Sequence, residues 1–168
     1  ISVMEMVSAY AVFVNQGNYV TPQLITSITT SQGVVLENFS EQPTAVSALS
    51  DETAAMMLHM LKRVINEGTG SGLRSKYGLT NDLAGKTGTT QSNADGWFIG
   101  ITPRLVMGCW IGADDPALHF KTTAMGQGAA TALPVVAGFL QRVNKDPDLR
   151  RIAGARFPPL SNELVQQL

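Results

Sequence analysis

Three runs of strand composition follow one another between residues 83 and 113 with almost no chain between them. They occupy residues 83–90, 96–102 and 105–113, separated by five residues and then by two. Parallel neighbours need a crossover of about a dozen residues or more, so runs this close pair antiparallel. A three-stranded antiparallel meander is therefore expected.

Helical patterns surround these runs. Val3, Met6, Val7, Tyr10, Ala11 and Val14 fall at helical spacing, with Gly17 placed to end that helix. Residues 24–30 and 34–39 read as a hairpin turning at Ser31-Gln32-Gly33, followed by a polar loop containing Pro43. Ser50 is placed as an N-cap, with Asp51 and Glu52 in the first turn favoured by the helix dipole. Ala54, Met57, Leu58, Leu61, Val64 and Ile65 then trace one helical face that ends near Gly68. Gly68-Thr69-Gly70-Ser71-Gly72 reads as a flexible loop. Residues 127–143 favour a helix, which Pro134 must kink or start late. From Asp146 onward, Pro147, Pro158 and Pro159 predict an irregular tail with short helical turns. The class is α+β: a mainly antiparallel sheet flanked by helices.

Charge removes several functions. Twelve basic residues against thirteen acidic ones leave a net charge of −1. This is no footprint for nucleic acid and no polybasic patch for a membrane surface. Charged residues are 15% and hydrophobic ones 44%, which points to a packed core rather than disorder. The longest apolar stretch, 132–140, contains Pro134 and is too short to span a bilayer. Cys109 is the single cysteine and has no partner for an intrachain disulfide. The chain starts at Ile1 with neither a start methionine nor a signal peptide, and reads as a piece of something longer.

The stretch with most chemistry is Ala84-Gly85-Lys86-Thr87-Gly88-Thr89-Thr90. A P-loop ends in Gly-Lys-Thr, but its first glycine would fall on Thr80. The upstream Gly68-x-Gly70 likewise fails the dinucleotide fingerprint, because Leu73 stands where the last glycine belongs. The other reading is a Lys-Thr-Gly strand bordering a serine acyl-transferase cleft. On an extended strand Thr87 and Thr89 share one face, where two hydroxyls can bind a carboxylate, and Lys86 projects to the other. The Lys86 ammonium can adjust a nearby hydroxyl or amine network electrostatically. Gly88 leaves room for a second backbone, so a peptide can add to the strand edge. The Thr89 backbone N–H can donate to a developing oxyanion. Lys86 and Thr89 are thus the candidate catalytic residues, and Thr87, Gly88, Thr89 and Thr90 the candidate substrate-binding ones.

Around this strand lie Met4-Glu5-Met6-Val7-Ser8-Ala9-Tyr10-Ala11-Val12-Phe13, Gly68-Thr69-Gly70, Asp95-Gly96-Trp97-Phe98-Ile99-Gly100 and Gly108-Cys109-Trp110-Ile111-Gly112-Ala113-Asp114-Asp115-Pro116. In that order they resemble the C-terminal part of the transpeptidase domain of class A penicillin-binding proteins. The resemblance is strongest over residues 1–143, with 144–168 a tail. It implies one partial transpeptidase domain of the serine β-lactamase-like fold. It also implies D,D-transpeptidation of peptidoglycan stem peptides through an acyl-serine intermediate, with β-lactam antibiotics trapping the serine. Gly68, Thr69 and Gly70 become a candidate cleft loop. The implied parent is membrane-anchored on the extracytoplasmic (periplasmic) side, bifunctional with a glycosyltransferase domain. Carboxypeptidase or β-lactamase hydrolysis, or β-lactam sensing without turnover, are the alternatives that share this motif.

One departure accompanies the match. The residues three positions before Lys62, Lys76, Lys86, Lys121 and Lys145 are His59, Leu73, Leu83, Leu118 and Arg142, so no Ser-x-x-Lys occurs. No Ser-x-Asn occurs either, since Ser92 and Asn93 are adjacent. In the family both motifs lie upstream, so the chain alone is expected to be inactive and, lacking cover for its sheet, to self-associate. No cofactor and no metal are expected. Asp95, Asp114 and Asp115 have no His or Cys at ligand spacing and read as turn carboxylates. Trp97 and Trp110 are expected in the core, His59 and His119 in solvent, and Cys109 as a small buried hydrophobe.

Overall fold

The computed structural model describes residues 1–39 and 44–166, so the loop position Pro43 lies outside the described residues. Helix α1 (Val3–Val14) opens on a capping box. Ser2 Oγ accepts from the Glu5 amide at 3.2 Å, and Glu5 Oε2 accepts from the Ser2 amide at 2.7 Å. Gln16 and Gly17, with φ of 55° and 80°, end it by reversing the chain. Gly17 is required there, because a Cβ would meet the Leu49 backbone.

Strands β1 (Asn18–Tyr19) and β4 (Val46–Ser47) pair antiparallel, and between them β2 (Ser27–Thr29) and β3 (Val35–Asn38) form the expected hairpin. Its turn uses Gly33 at φ 85°. Every residue of β2 and β3 is exposed. Helix α2 (Asp51–Asn66) begins where Ser50 Oγ accepts from the Thr53 amide, and buries Ala54, Leu58, Leu61 and Ile65. Helix α3 (Gly72–Ser75) follows.

The meander consists of β5 (Ala84–Thr89), β6 (Gly96–Ile101) and β7 (Val106–Ile111), in that order in the sheet. After the short helix α4 (Thr123–Gly126), helix α5 (Ala132–Lys145) carries Pro134 in its first turn, so the proline delays the start rather than kinking the helix. Helix α5 lays Leu133, Val136, Ala137 and Leu140 against Phe98 and the Met107, Cys109 and Ile111 side of the sheet. The other face carries Ile99, Ile101 and Ala84, covered by Leu58 and Leu61 of α2 and by Met6, Tyr10 and Phe13 of α1. The sheet is thus packed on both faces.

The tail is irregular apart from a 3₁₀ turn (Pro147–Leu149), α6 (Arg150–Ala153) and α7 (Asn162–Val165), yet it is fixed to the domain. The Phe157 ring is buried beside Leu58 and Leu61, and its amide donates to Asp82 Oδ2 at 2.9 Å. Asp82 Oδ1 meets Lys62 Nζ at 2.8 Å. Asn81 donates to the Ala153 carbonyl and to Asn144 Oδ1, each at 2.8 Å.

Candidate functional site

Register shows which backbone groups of β5 are free. Thr89 pairs with Gly96 and Thr87 with Phe98, while just beyond the strand the Thr90 amide donates to the Asp95 carbonyl at 3.1 Å. Hydrogen-bonded pairs alternate along an antiparallel ladder, so Lys86 and Gly88 bond to β6, and Thr87 and Thr89 point their N–H and C=O away from it. The other end agrees. The Thr102 amide donates to Leu105, which assigns Ile101, Ile99 and Trp97 to bonding with β5. No strand flanks β5 on its outer side among the described residues. Toward the Thr90 end, its edge therefore offers the Thr87 N–H and both the N–H and C=O of Thr89, while the Thr87 carbonyl accepts from Lys86 Nζ.

The side chains are arranged around that edge. Lys86 is exposed, and its Nζ bends back to donate to the Thr87 carbonyl at 2.7 Å. The ammonium thus lies on the outer edge even though Lys86 starts on the face opposite Thr87 and Thr89. A Cβ at Gly88 would sit 3.1 Å from Trp97 Cβ, so glycine keeps that part of the strand flat. Thr87 Oγ1 lies 2.6 Å from Thr69 Oγ1. Thr89 Oγ1 accepts from the Gly128 amide at 3.2 Å, which leaves its own proton to donate. Gly128 can come this close only because a Cβ would run into the Gly88 and Trp97 carbonyls.

The Gly68–Gly72 segment corrects the expectation of a flexible loop. Gly70 donates to Val64 at 3.0 Å, Ser71 to Gly68 at 3.1 Å and Leu73 to Gly70 at 3.0 Å, which makes it a bonded turn running into α3. Gly70 is buried, and a Cβ there would lie 2.6 Å from Ile65 Cδ1. Close packing, rather than freedom, is what these glycines supply. Arg74 locks the next stretch by donating to the Leu79 and Asn81 carbonyls, both at 2.7 Å. Burial holds its guanidinium below arginine's ordinary range, opposed by Asp82 nearby.

A second group closes the end of β5. Thr90 Oγ1 donates to Asp95 Oδ2 at 2.9 Å and accepts from the Asp95 amide at 3.0 Å. The other carboxylate oxygen, Asp95 Oδ1, accepts from Trp110 Nε1 at 2.9 Å. Asp95 is thus a turn carboxylate, as its context implied, but one that ties β5 to β7. Trp110 departs from the core expectation: it is 36% exposed, because its indole N–H reaches Asp95 at the surface, while its partner Trp97 is half-buried at 6.4 Å. Local sequence gave no sign of the Asp95, Trp110 and Gly128 contacts, which join positions 15 and 39 residues apart.

The remaining candidates lie elsewhere. Cys109 is half-buried on the α5 face, where burial pushes its thiol up. Asp115 Oδ1 accepts from the Ala117 amide, as a turn carboxylate does. His119 is exposed, and half-buried His59 faces a groove of about 1310 Å³ between α2 and the tail. That groove contains no residue of the Lys86 strand.

The transpeptidase domain model of penicillin-binding proteins matches residues 1–132. The chain belongs to that family. Among curated relatives, penicillin-binding protein 1A of Aquifex aeolicus is 32% identical over 142 residues, covering 84% of this chain and 18% of the relative. Penicillin-binding protein 4 of Bacillus subtilis is 33% identical over 113 residues, 67% of this chain and 17% of the relative. The chain therefore spans less than a fifth of either relative. The structure of penicillin-binding protein 1A from Haemophilus influenzae has the same fold, with a TM-score of 0.77 at 20% identity over 95% of this chain and 28% of that one. PonA1 from Mycobacterium tuberculosis gives 0.66 at 26% identity, over 95% and 41%. The resemblance drawn from the motifs is borne out, and so is the α+β class with its antiparallel sheet. In this penicillin-binding transpeptidase fold, β5 is the strand that carries Lys-Thr-Gly.

Proposed function

We propose that this chain forms the Lys-Thr-Gly wall of a peptidoglycan D,D-transpeptidase whose serine and Ser-x-Asn motifs lie elsewhere in a longer protein. The observation that carries the reading is the outer edge of β5, where the Thr87 N–H and the Thr89 N–H and C=O face outward beside two hydroxyls, and the Lys86 ammonium lies on the Thr87 carbonyl. A stem peptide adds to this edge as an antiparallel strand. The serine oxygen attacks the penultimate D-Ala carbonyl, and the Thr89 N–H donates to the oxyanion that develops. The C–N bond breaks, terminal D-Ala leaves with a proton on its amine, and the serine ester remains. An amine of a second stem peptide then attacks the ester and frees the serine, leaving a cross-link.

Lys86 lowers the energy of the anionic states from the strand edge, and the Thr87 and Thr89 hydroxyls bind the terminal carboxylate. Gly88 lets the peptide lie close. Thr90 anchors the end of the wall through Asp95, and Thr69, held in the turn formed by Gly68 and Gly70, bonds to Thr87. β-Lactams occupy the same edge and acylate the serine; a protein of this fold, PonA1, has been solved with penicillin V. No helix among the described residues is long and apolar enough to cross a membrane. We assign the anchor, a glycosyltransferase domain and a periplasmic location to the longer protein.

Incubating a labelled penicillin with the full-length protein and with the 168-residue chain tests this by intact mass. One drug per full-length molecule and none on the chain alone is expected. An unlabelled full-length protein, or a labelled chain, overturns the reading. Supplying a stem-peptide donor with an amine acceptor separates transpeptidation from the hydrolysis expected of a carboxypeptidase or β-lactamase.

A further inference from the structure

We infer that Asp95 is a positioning residue for the acylation step, its carboxylate holding the end of β5 in the place from which the Thr89 amide meets the oxyanion. The inference rests on the transpeptidase reading above. Between Thr90 and Asp95 the chain makes a tight reversal in which Ser92 and Asn93 take φ of 57° and 58°. Two successive side-chain-bearing residues in the left-handed region are unfavourable and persist only where the surroundings hold them. The Asp95 clasp supplies part of that restraint, beside the hydrogen bonds from the Asn93 amide to the Thr90 carbonyl at 3.2 Å and from the Phe120 amide to the Asn93 carbonyl at 3.4 Å.

Asp95 Oδ2 accepts a hydrogen bond from the Thr90 hydroxyl at 2.9 Å, and Asp95 Oδ1 accepts one from Trp110 Nε1 at 2.9 Å. The Thr90 hydroxyl in turn accepts from the Asp95 amide, and the Thr90 amide donates to the Asp95 carbonyl. Gly112 makes room, since a Cβ there would stand 2.6 Å from Asp95 Oδ1 and 2.5 Å from Trp110 Cζ2. The clasp spans the whole sheet, from β5 to β7. Thr89 precedes Thr90 directly, so the direction of its outward N–H follows from where Thr90 is pinned. A carboxylate suits the task because both of its oxygens accept. Asparagine offers one acceptor and can satisfy only Thr90 or Trp110.

The test uses the full-length protein with a fluorescent penicillin, resolving the dissociation constant of the first complex from the acylation rate constant. Asp95→Ala is expected to lower the rate constant by about tenfold or more while changing the dissociation constant less than twofold, since misplacement near reacting atoms acts on the chemical step. Asp95→Asn should fall between Ala and wild type. Thr90→Val, which keeps shape and removes the hydroxyl, should reproduce the Asp95→Ala loss, and Thr90→Ser should restore the rate. If Asp95→Ala does not fold, the Thr90 pair decides alone. A wild-type rate in either Asp95→Ala or Thr90→Val overturns the inference, and so does a loss confined to the dissociation constant. A wild-type protein that no penicillin acylates removes the transpeptidase reading itself, an outcome distinct from these.

Discussion

The hydroxyls of Thr69 and Thr87 lie 2.6 Å apart, joining the turn after α2 to a strand residue eighteen positions later. Thr87 therefore holds its side chain in one orientation beside the open edge of β5. Thr69→Val should slow acylation by roughly 2- to 10-fold, the worth of one neutral hydrogen bond, and Thr69→Ser should preserve the rate. Stopped-flow acylation of the full-length protein measures it. An unchanged rate in Thr69→Val would reduce this turn to packing.

Lys86 is exposed and makes one hydrogen bond, to the Thr87 carbonyl. Removing its charge should leave the melting temperature nearly unchanged while slowing acylation by about 10²–10³, as loss of one preorganised electrostatic group does. Thr89→Val should be milder, because the backbone donor remains. A Lys86→Ala protein that acylates at the parental rate contradicts the role given to this strand.

The meander was legible because its connections are too short for anything but antiparallel pairing, and α2 because Ser50 and the apolar spacing of 54–65 act locally. Pro134 left a kink or a late start of the 127–143 helix open, and the helix starts late, at Ala132, because the proline ring is tolerated in a first turn. Lys86, Thr87 and Thr89 are candidates because of a motif. What local pattern could not reveal was partnership at a distance. Gly68–Gly72 has the composition of a loose linker, and only the packing of Ile65 and the Thr69–Thr87 bond make it part of the wall. A tryptophan in a strand is expected in the core, but the strand pattern reports only a face of the sheet and not whether anything covers Trp110.

Phe98 is fully buried beneath β5 and pairs with Thr87, whereas Phe139 on α5 is 49% exposed. Phe98→Ala should destabilise the transpeptidase domain by about 3–5 kcal/mol through lost burial and a cavity. Phe139→Ala should change it by less than about 1 kcal/mol. Thermal unfolding of both variants is the comparison, and equal losses would mean that the core under the strand is misassigned.

Burial pushes the Cys109 thiol up from its ordinary value. Thiolate is the reactive form, so iodoacetamide should modify folded protein more slowly than unfolded protein at about pH 8.5, the ordinary cysteine value. The linked stability is fully present below the unfolded pKa and falls as pH rises toward the higher folded one. A pH profile of alkylation that coincides with a free cysteine's would show that the side chain is not held on the α5 face.

The hairpin of β2 and β3 presents Ile28, Val34, Val35 and Leu36 to water, with Leu24 and Leu36 at 81% and 66% exposure. Neither outer edge of the meander is paired with a strand among the described residues, at Thr87 and Thr89 on β5 and, by the same alternation, at Val106, Gly108 and Trp110 on β7. Open edges template pairing, and apolar side chains make it favourable. The 168-residue chain on its own should therefore self-associate, giving a scattering mass that grows with concentration. Val34→Lys with Leu36→Lys should suppress this if the hairpins meet, because charge opposes edge pairing. Association that survives both lysines would assign the contact to the edges of β5 or β7 instead. A monodisperse monomer at high concentration would show that these exposed residues do not drive contact, and that the longer protein's remaining segments are needed for catalysis rather than for cover.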